Sequence, residues 1–386
     1  MKTLALTQLK QDFVDWPVHM QRALDLAGTV LTAMANPRVG CVLVKDGRVV
    51  AEGWHAAAGR PHAEVHALEQ AGADARGATA FVTLEPCSHQ GRTGPCSEAL
   101  IAAGIGRVVI AGLDPNPAVA GRGVAALEAA GVEAYCLSDY EQAARNLNPG
   151  YFKRREQGLP WLRLKLAMSL DGRTALANGV SKWITGAVAR ADVQRLRAAS
   201  SAVLTGAGTI LADDPALTVR PEELAFDDRE LAHNAASLEL PRLRVVLDSQ
   251  LRTPGTARVY HDPGSALIFT TADAGTQACD YGGVRLIRTE ADSARVDLRF
   301  VLESLAADHE CNEVLVEAGA TLSGAFLQAG LVDELVVYVA PKLLGSDARP
   351  LLELTGLTGL EQAPRFRIRD LKQLGEDVRL TLTPET

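Results

Sequence analysis

The sequence has 386 residues, more than a single hydrophobic core usually supports, so we expect two domains. Hydrophobic residues make up 47% and charged residues 22% of the chain, a composition that excludes an intrinsically disordered protein. The formal charge of −8 argues against nucleic acid as the main partner, because phosphate binding needs a basic face.

The N-terminal segment is interrupted by Lys10, Gln11 and Asp12 before any apolar run long enough for a signal peptide. No stretch approaches the roughly 18 apolar residues of a membrane span, so we expect no membrane partner and a cytoplasmic location. In a reducing compartment the cysteines are not expected to form disulfides, and a clustered pair suggests metal binding or catalysis. Four cysteines are expected to be small buried residues: Cys41, Cys136, Cys279 and Cys311.

From Pro17 to Glu141 the sequence alternates between helical and strand-like stretches. A first helix is followed by a strand hairpin that turns at Asp46-Gly47, a favourable turn pair. Another helix is expected from His62, and strands and helices then alternate through ATAFVTLEP, SEALIAAG, RVVIAGLD and GVAALEAAG. This alternation predicts a sheet covered by helices, an α/β domain.

A polar, basic segment with several prolines and glycines, residues 146–161, is typical of a domain boundary. We therefore predict a first domain at residues 1–148 and a second at residues 149–386. The second domain has more strand-like runs, namely WLRLKLAMS, SAVLTG, RVVLDS, ALIFTT, VRLIRT, EVLVEAG, ELVVYVAP and VRLTLT. The acidic segment between Pro221 and Pro241 is expected to be an irregular surface excursion.

The motif RPHAEVHALEQAG places His62 two residues before Glu64, and two cysteines that each follow a proline come later, Cys87 and Cys96. One histidine and two cysteines match the three protein ligands of a catalytic zinc site, whose fourth position is left for water. Cys96 is expected at a helix start, where the partial positive charge favours thiolate. The pattern predicts a zinc centre in which Glu64 carries protons from the water to the leaving amine.

Two alternatives concern the same motif. His66 follows His62 by four residues, as in metalloprotease His-Glu-x-x-His, but the glutamate is misplaced and the cysteines would be unexplained. We therefore expect His66 to be a packed residue or one that supports a ligand. A closed structural zinc site would need a fourth ligand from Glu64 or from a distant residue, which favours the open site. His89 and Arg92 either contact the substrate or belong to a solvated loop, and the sequence does not decide between these two interpretations.

His-x-Glu followed by Pro-Cys and a later cysteine resembles the signature of zinc-dependent nucleobase deaminases, except that eight residues separate the two cysteines. With NPRVGCVLVKDG and HAEVHAL, this longer loop resembles the deaminase half of the bifunctional deaminase/reductase family of riboflavin biosynthesis. The resemblance implies a cytidine-deaminase-like α/β/α domain that acts on a phosphoribosylated diaminopyrimidinone, a small molecule. It also implies that Asn36 lies near the base or ribose, although the sequence alone makes it a turn residue.

The second half gives weaker signals for a nucleotide. TGAGTILADDP has two glycines after a strand, but Leu211 stands at the third glycine position, so the Rossmann fingerprint fails. In EVLVEAGATLSGAFLQAG a strand ends at Glu317, and Gly319 and Gly324 allow the backbone to approach a ligand closely. The helix that begins there offers backbone N–H groups suited to phosphate.

Longer stretches, including LKLAMSLDGRTA, SKWITG, LRAASSAVLTGAGTILADDPALTVR and VEAGATLSGAFLQAGLVDELVVYVAPKLLG, resemble the reductase half of the same family. The resemblance implies a dihydrofolate-reductase-like α/β domain that uses NADPH to reduce the ribosyl C1′ to ribityl. It assigns dinucleotide binding to Ala167, Trp183, Thr209, Asp213, Ser249, Gly319, Ala320, Thr321, Leu322, Ser323, Gly324 and Ala325. It assigns substrate binding to Ser181, Arg197, Leu217, Arg220 and Glu317.

Some of these assignments are chemically sensible. Arg197 and Arg220 offer planar forks suited to a ribose phosphate. Reduction needs a hydride and a proton, and Asp213, Asp214 or Glu317 could help to deliver the proton. The plainer interpretations are also open: Arg197 as a charge on a helix surface and Asp213 as a turn former.

Together these patterns predict a cytoplasmic two-domain enzyme, a zinc deaminase followed by an NADPH-dependent reductase, acting early in riboflavin synthesis. Trp183 is either a cofactor contact or a core aromatic residue. Members of this family often form dimers, so a homodimer is one expected assembly, with ELVVYVAP as either an interface strand or a core strand. A nucleic-acid deaminase and a non-enzymatic binding protein are the competing hypotheses.

Overall fold

A computed structural model describes residues 1–8, 13–32, 34–89, 94–261, 264–272, 281, 284–289 and 295–385. Among the residues used in the sequence arguments, Lys10, Gln11, Asp12, Arg92 and Cys279 lie outside these ranges. The chain divides into two compact units. Unit 1 comprises Met1–Gln157 and Phe226–Glu239, and unit 2 comprises Gly158–Ala225 and Leu240–Thr386.

The described residues form strands and helices throughout both units. The strands are β1 (Lys2–Leu4), β2 (Gly40–Lys45), β3 (Arg48–Trp54), β4 (Thr79–Val82), β5 (Arg107–Ile110), β6 (Glu133–Leu137), β7 (Trp161–Ser169), β8 (Arg173–Ala175), β9 (Ala202–Gly206), β10 (Leu243–Leu247), β11 (Ala266–Thr270), β12 (Arg285–Arg288), β13 (Glu313–Glu317), β14 (Glu334–Ala340), β15 (Arg349–Pro350), β16 (Phe366–Leu374) and β17 (Asp377–Pro384). The α-helices are α1 (Trp16–Gly28), α2 (Ala63–Ala71), α3 (Cys96–Ala102), α4 (Arg122–Ala129), α5 (Glu141–Leu147), α6 (Pro149–Gln157), α7 (Ala187–Ala199), α8 (Ala207–Asp213), α9 (Asp228–Leu238), α10 (Arg258–His261), α11 (Leu298–Ala307) and α12 (Ala320–Gln328).

Within its described part, unit 1 is a sheet of six strands in the order β1-β6-β5-β4-β2-β3. Strands β1, β6, β5 and β4 are parallel, while β2 runs antiparallel to both β4 and β3. The predicted hairpin is confirmed: Lys45 pairs with Arg48 across a turn in which Asp46 and Gly47 both have positive φ. Such paired left-handed residues match the twist of the strands.

Two apolar clusters pack on opposite faces of this sheet. Side chains of α2, α3 and α4, including Ala67, Leu100 and Leu127, pack on one face. Trp16 and Met20 of α1 pack on the other face. Unit 1 is therefore the α/β/α layer arrangement that the sequence resemblance implied.

Unit 2 contains a larger sheet, whose described strands run in the order β12-β11-β10-β9-β13-β7-β14-β17-β16. The strands from β12 to β14 are parallel, and β17 and β16 add an antiparallel hairpin. Strand β14, the ELVVYVAP run, lies between β7 and β17 with Val336 and Tyr338 buried, so it is a core strand. A separate two-stranded ribbon joins β8 and β15.

The segment between Pro221 and Pro241 lies largely at the surface, as predicted, but the prediction that it is irregular was wrong. Eleven of its residues form α9, which begins with a capping box between Asp227 and Glu230. One side of α9 is buried, because His233 is 8% and Asn234 is 1% exposed. The alternation of buried and exposed positions is helical, and the acidic composition had hidden it.

The helices of the described residues are all too short or too polar to cross a bilayer, so this part of the chain contains no membrane-spanning helix.

Candidate functional sites

The first turn of α2 carries the histidine and the glutamate of the predicted zinc site. His62 is the N-cap residue of α2 in an extended conformation, and Glu64 lies in the first turn, 3% exposed. Behind this turn, a Cβ atom on Gly53 of β3 would lie 2.2 Å from the carbonyl oxygen of Ala63. Only glycine therefore lets α2 begin so close to the sheet, and this contact fixes where His62 and Glu64 lie.

The two cysteines come from the loop after β4 and from the start of α3. Cys96 is the first residue of α3, which follows Pro95 as its N-cap. The Cys96 N–H donates to Cys87 Sγ at 3.4 Å, and the Ser97 N–H donates to the Cys87 carbonyl oxygen at 3.1 Å. The start of α3 thus holds both cysteines next to one another, because one of its N–H groups binds the Cys87 sulfur and the next binds the Cys87 carbonyl oxygen.

His62, Cys87 and Cys96 converge into one cluster, in which all three ligand atoms lie within 4.8 Å of one another. His62 Nδ1 lies 3.2 Å from Cys96 Sγ and 3.6 Å from Cys87 Sγ. A tetrahedral zinc with its usual bond lengths would place a nitrogen and a sulfur ligand about 3.5 Å apart. The residues therefore fit a zinc ion in donor type, in number and in spacing.

The site is electrostatically suited to hold a cation and move a proton. The hydrogen bond between the two cysteines lowers the pKa of Cys87 and raises the pKa of Cys96, so Cys87 is the sulfur that favours the thiolate form a metal requires. Burial raises the pKa of Glu64 to about 7. A carboxyl group with such a pKa can both accept and release a proton near neutral pH.

Asn36 and His55 lie beside the cluster. The His55 ring is 4.9 Å from the His62 ring, centroid to centroid. His55 Nδ1 donates to the Pro61 carbonyl oxygen at 3.0 Å, so His55 Nε2 accepts from the Asn36 side-chain amide at 3.0 Å. Burial lowers the pKa of His55 to about 4, so the ring is neutral and keeps these two roles. Sequence reasoning had not singled out His55.

Glu85, also missed by the sequence analysis, supports the loop that carries Cys87. Its buried carboxylate accepts from Gly121 N–H at 2.9 Å and from Val124 N–H at 3.1 Å, at the start of α4. A Cβ atom on Gly123 would lie 1.9 Å from the Pro86 carbonyl oxygen. Glu85 and Pro86 are therefore wedged against α4 directly before Cys87. A glutamate that ends the apolar run ATAFVTLEP, directly before Pro-Cys, was the available signal.

The other polar residues near the motif have separate surroundings. His66 Nδ1 lies 3.3 Å from the Trp54 backbone nitrogen, and its ring packs on the Trp54 indole with centroids 4.6 Å apart. His66 is thus a packed residue, one of the two expectations. His89 is exposed, and the structure does not describe Arg92.

In unit 2, most residues assigned to the dinucleotide lie at one edge of the sheet. Ala167 lies near the carboxyl end of β7, Thr209 lies in α8 directly after β9, and Ser249 follows β10. Gly319 follows β13 as the N-cap of α12. Because these neighbouring strands are parallel, their carboxyl ends meet at the same edge, where α/β sheets bind ligands.

Helix α12 is preceded by Gly319, which has open space around it, and contains Gly324, which is closely packed. A Cβ atom on Gly319 would meet nothing within 4 Å. On Gly324 it would lie 2.0 Å from the Glu353 carbonyl oxygen, so protein backbone, rather than a ligand, occupies that space. Thr321 donates to the Glu353 carboxylate at 2.8 Å, and the buried Ser323 donates to the Ala318 carbonyl. Ala320, Leu322 and Ala325 belong to the same helix.

Arg197 and Glu317, both assigned to the substrate, form a partly buried ion pair. Arg197 Nε and Nη2 donate to the two carboxylate oxygens of Glu317 at 2.6 and 3.0 Å, and Nη1 donates to the Thr218 carbonyl at 3.1 Å. Burial opposes ionisation of Glu317, but Arg197 holds the pKa of its carboxyl below the ordinary value. The Arg197 fork therefore faces Glu317, so Arg197 is not a charge on the helix surface, and its contact with the substrate stays a prediction.

Lys165 of β7 is a further polar residue at this pair, which the sequence analysis missed. Burial lowers the pKa of Lys165, partly offset by attraction to Glu317. Charged residues alternate with apolar residues in WLRLKLAMS, and β7 is a central strand between β13 and β14. A charge in a strand covered on both faces needs a partner, which was the overlooked signal.

The remaining assigned residues lie in loops and at helix ends. Trp183 is 62% exposed, with the Arg190 guanidinium 4.7 Å from its ring, so it is not a core residue. The Asp213 carboxylate lies 3.7 Å from Lys182 Nζ, and Ser181 lies in the same loop as Lys182. Arg220 forms an ion pair with Glu223 at 2.9 Å. Leu217 is buried.

Comparisons with known proteins agree on both halves of the chain. Residues 17–112 match the family model described as the cytidine and deoxycytidylate deaminase zinc-binding region, and residues 160–380 match the RibD C-terminal domain. Riboflavin biosynthesis protein RibD of Escherichia coli is 50% identical over 368 residues, covering 94% of this chain and 98% of that protein.

Solved structures give the same result. Acinetobacter baumannii RibD superposes with a TM-score of 0.85 at 45% identity, covering 96% of this chain and 98% of that one. A Thermotoga maritima protein described as a diaminohydroxyphosphoribosylaminopyrimidine deaminase/5-amino-6-(5-phosphoribosylamino)uracil reductase has a TM-score of 0.79 at 31% identity, covering 96% and 99%.

Proposed function

We propose that each of the two sites described above carries one of the two reactions of the RibD family of riboflavin biosynthesis proteins, to which the chain belongs. The chain is a bifunctional deaminase and reductase of riboflavin biosynthesis, with Zn²⁺ and NADPH as cofactors. The first reaction replaces the 2-amino group of 2,5-diamino-6-(5-phosphoribosylamino)pyrimidin-4-one by oxygen and releases ammonia. The second reduces the ribosyl side chain to ribityl.

For the domains, we propose that residues 1–148 carry the deaminase and residues 149–386 the reductase, with α9 as an exception discussed below. The chemistry-bearing residues support this division. The His-Cys-Cys cluster lies in unit 1, and the Arg197–Glu317 pair lies in unit 2.

In the deaminase, we propose that His62 Nδ1, Cys87 Sγ and Cys96 Sγ hold the zinc ion. When bound there, Zn²⁺ supplies the Lewis acidity that makes water a nucleophile near neutral pH. Glu64 takes a proton from the attacking water on a carboxylate oxygen and passes it to the departing amino nitrogen, which leaves as ammonia. Its buried position beside His62 and its raised pKa support this role. Asn36, hydrogen-bonded to His55, orients the substrate.

Glu64→Gln tests this proposal. The substitution keeps the shape of the side chain but removes the proton carrier, so we expect zinc content and thermal stability to stay unchanged while ammonia release falls by about 10²–10⁴-fold. Glu69→Gln is the matched control, since Glu69 is exposed on the same helix. An undiminished rate in Glu64→Gln would remove Glu64 from the mechanism.

In the reductase, we propose that the dinucleotide lies across Ala167, Thr209, Ser249 and Gly319 at the carboxyl edge of the sheet, with Trp183 and Asp213 in flanking loops. NADPH supplies the hydride that is added to the ribosyl C1′. Opening of the ribose ring also requires a proton on the ring oxygen, and Lys165 is suited to deliver it, since its pKa is lowered.

Glu317 and the aspartates are less suited to this proton transfer. Glu317 is held ionised by Arg197 and orients the cations around it. Asp213 lies beside Lys182, and Asp214 accepts from the Arg258 N–H at 2.9 Å.

The order of the two reactions can be followed in one tube. Incubation with the diaminopyrimidinone ribotide should release ammonia without NADPH, and oxidation of the cofactor should follow when NADPH is added. The two reactions have independent readouts, because ammonia reports the deamination and the absorbance of NADPH reports the reduction. Cofactor oxidation that ignores the pyrimidine would contradict the assignment of unit 2.

We also propose that the protein forms a homodimer through β16, the edge strand of the larger sheet. Ile368 and Leu371 on this strand are 58% and 63% exposed, and a bare edge strand with apolar side chains favours pairing with a second chain. Sedimentation of the wild type should give twice the mass of one chain. The double variant with Ile368→Lys and Leu371→Lys should sediment with the mass of a single chain. A wild-type monomer would exclude the dimer.

A cytoplasmic location is supported by the described cysteines, because none of them forms a disulfide. Fractionation of the native cell, with the enzyme followed by its ammonia release, tests this location.

A further inference from the structure

The chain segment of α9 lies within the reductase half of the sequence but packs as part of unit 1. The capping box of Asp227 and Glu230 stabilises the first turn of α9, directly after the chain enters unit 1 at Phe226. Its buried residues, His233, Asn234 and Ser237, have their contacts in unit 1 or in α9 itself.

Asn234 binds the backbone that follows α1. Its side-chain oxygen accepts from the Leu31 N–H at 2.8 Å, and its side-chain nitrogen donates to the Thr29 carbonyl at 3.0 Å. Asn234 is 1% exposed, so water does not compete for these bonds. His233 Nδ1 lies 2.7 Å from the Thr29 hydroxyl and acts as its donor, because that hydroxyl already donates to the Leu26 carbonyl.

The same helix contacts two other segments of unit 1. The His233 ring packs on the Trp54 indole with centroids 4.1 Å apart and planes tilted by 30°. Glu239, directly after α9, pairs with Arg60 at 3.0 Å. Trp54 directly precedes His55, and Arg60 stands two residues before His62.

These contacts bear on the deaminase site because the segments that α9 holds lead into it. Residues 29–31 continue to Asn36, and Arg38 ties the two parts of that segment together by donating to the Leu31 carbonyl at 3.4 Å. Asn36 then bonds His55 at 3.0 Å. Asn36, His55 and His62 are thus each reached from a segment that contacts α9.

We propose that α9 is a structural part of the deaminase site and that Asn234 is a positioning residue that acts through Asn36. The inference rests on the proposed role of Asn36 in orienting the substrate. It assigns to a segment of the reductase half a task in the first reaction. The zinc ligands are carried by the starts of α2 and α3 and by the loop before α3, so we expect metal binding to survive the loss of Asn234.

Asn234→Ala removes both bonds and should lower the deaminase kcat/KM about tenfold, mainly through a higher KM. Reductase activity, assayed with the deaminated intermediate and NADPH, should stay at the wild-type value, as should zinc content. Asn234→Asp keeps the acceptor for Leu31 N–H and should lose less. Leu231→Ala is the control, because Leu231 is 48% exposed on α9.

A double variant distinguishes positioning from plain stabilisation. In an Asn36→Ala background, Asn234→Ala should lower the deaminase kcat/KM little further, because the two residues act in series. Fully additive effects, an equal loss of both activities, or wild-type kinetics in Asn234→Ala would each overturn the inference. If Asn234→Ala does not fold, Asn234→Asp carries the same comparison.

The proposed deaminase chemistry fails separately. If Glu64→Gln retains full ammonia release, the proton transfer proposal is wrong, whatever Asn234 does. If Asn36→Ala alone leaves the deaminase KM unchanged, the inference about Asn234 is overturned while the zinc site stands.

Discussion

Replacing Glu85 by alanine removes the buried carboxylate that holds the start of α4 against the loop of Cys87. Gly121 N–H and Val124 N–H donate to this carboxylate at 2.9 and 3.1 Å, and Glu85 is 3% exposed. A buried donor left without a partner costs about 1–3 kcal/mol, in full for the buried Val124 N–H and in part for the half-buried Gly121 N–H, so the two together cost about 2–4 kcal/mol. The lost attraction between the negative charge and the helix N-terminus adds to this cost.

A loss of this size is a large share of the roughly 5–15 kcal/mol by which a domain is stable. We expect Glu85→Ala to unfold several degrees earlier and, because Cys87 lies two residues further on, to lose zinc faster to a chelator. Glu85→Gln keeps one acceptor oxygen and should fall between Glu85→Ala and the wild type.

Thermal unfolding followed by circular dichroism and zinc release followed with a chromogenic chelator measure the two effects. Glu69→Ala is the control, since it removes an exposed carboxylate from α2 and should change stability by less than about 0.5 kcal/mol. If Glu85→Ala melts within a degree of the wild type and keeps its zinc equally long, the argument that α4 positions Cys87 is refuted.

Two further predictions concern unit 2. Lys165→Met should lower NADPH oxidation by about 10²–10⁴-fold while ammonia release stays unchanged, and equal loss of both activities would contradict the proton transfer role. Asp171, held by Ser169 and by the N–H groups of Leu344 and Gly345, has a pKa lowered to about 2. Because this pKa lies below the unfolded value of about 3.9, the carboxylate stabilises the fold above about pH 4, and the gain is lost as pH falls toward 2. Denaturant unfolding at a series of pH values should therefore show a constant gap between wild type and Asp171→Asn near neutrality that closes only between about pH 4 and pH 2. A gap that closes above pH 5 would contradict this assignment.

The metal centre could be predicted from the sequence because its chemistry tolerates few residue types. A histidine, a glutamate and two cysteines after prolines leave little choice for a zinc deaminase, whatever the loop length between Cys87 and Cys96. The hairpin at Asp46-Gly47 was equally local, since two residues with positive φ specify the turn. Local rules were enough in both cases.

The partners of buried polar groups could not be predicted in this way. Lys165 meets Glu317 only because β7 and β13 are neighbours in the sheet, and Arg197 meets it only because α7 packs beside β13. Neither the strand order nor the helix packing can be seen in the segments themselves. Glu85 offered no visible partner either, because it accepts from backbone N–H groups, which every sequence contains. A charged side chain is visible in the sequence, but the groups that neutralise it depend on the tertiary structure.

Helix α9 shows the same limit at the scale of a domain. A boundary drawn at residues 148 and 149 follows the change in composition, yet the chain returns to unit 1 at Phe226 and leaves it at Glu239. Asn234 satisfies the Leu31 N–H and the Thr29 carbonyl, so a deaminase fragment that stops at Gln157 would lack the partner of both groups. Unsatisfied buried polar groups destabilise the segment that contains them. Unit 1 therefore takes one of its helices from the reductase half of the sequence. If α9 positions Asn36 as proposed, the deaminase site is complete only when α9 is present.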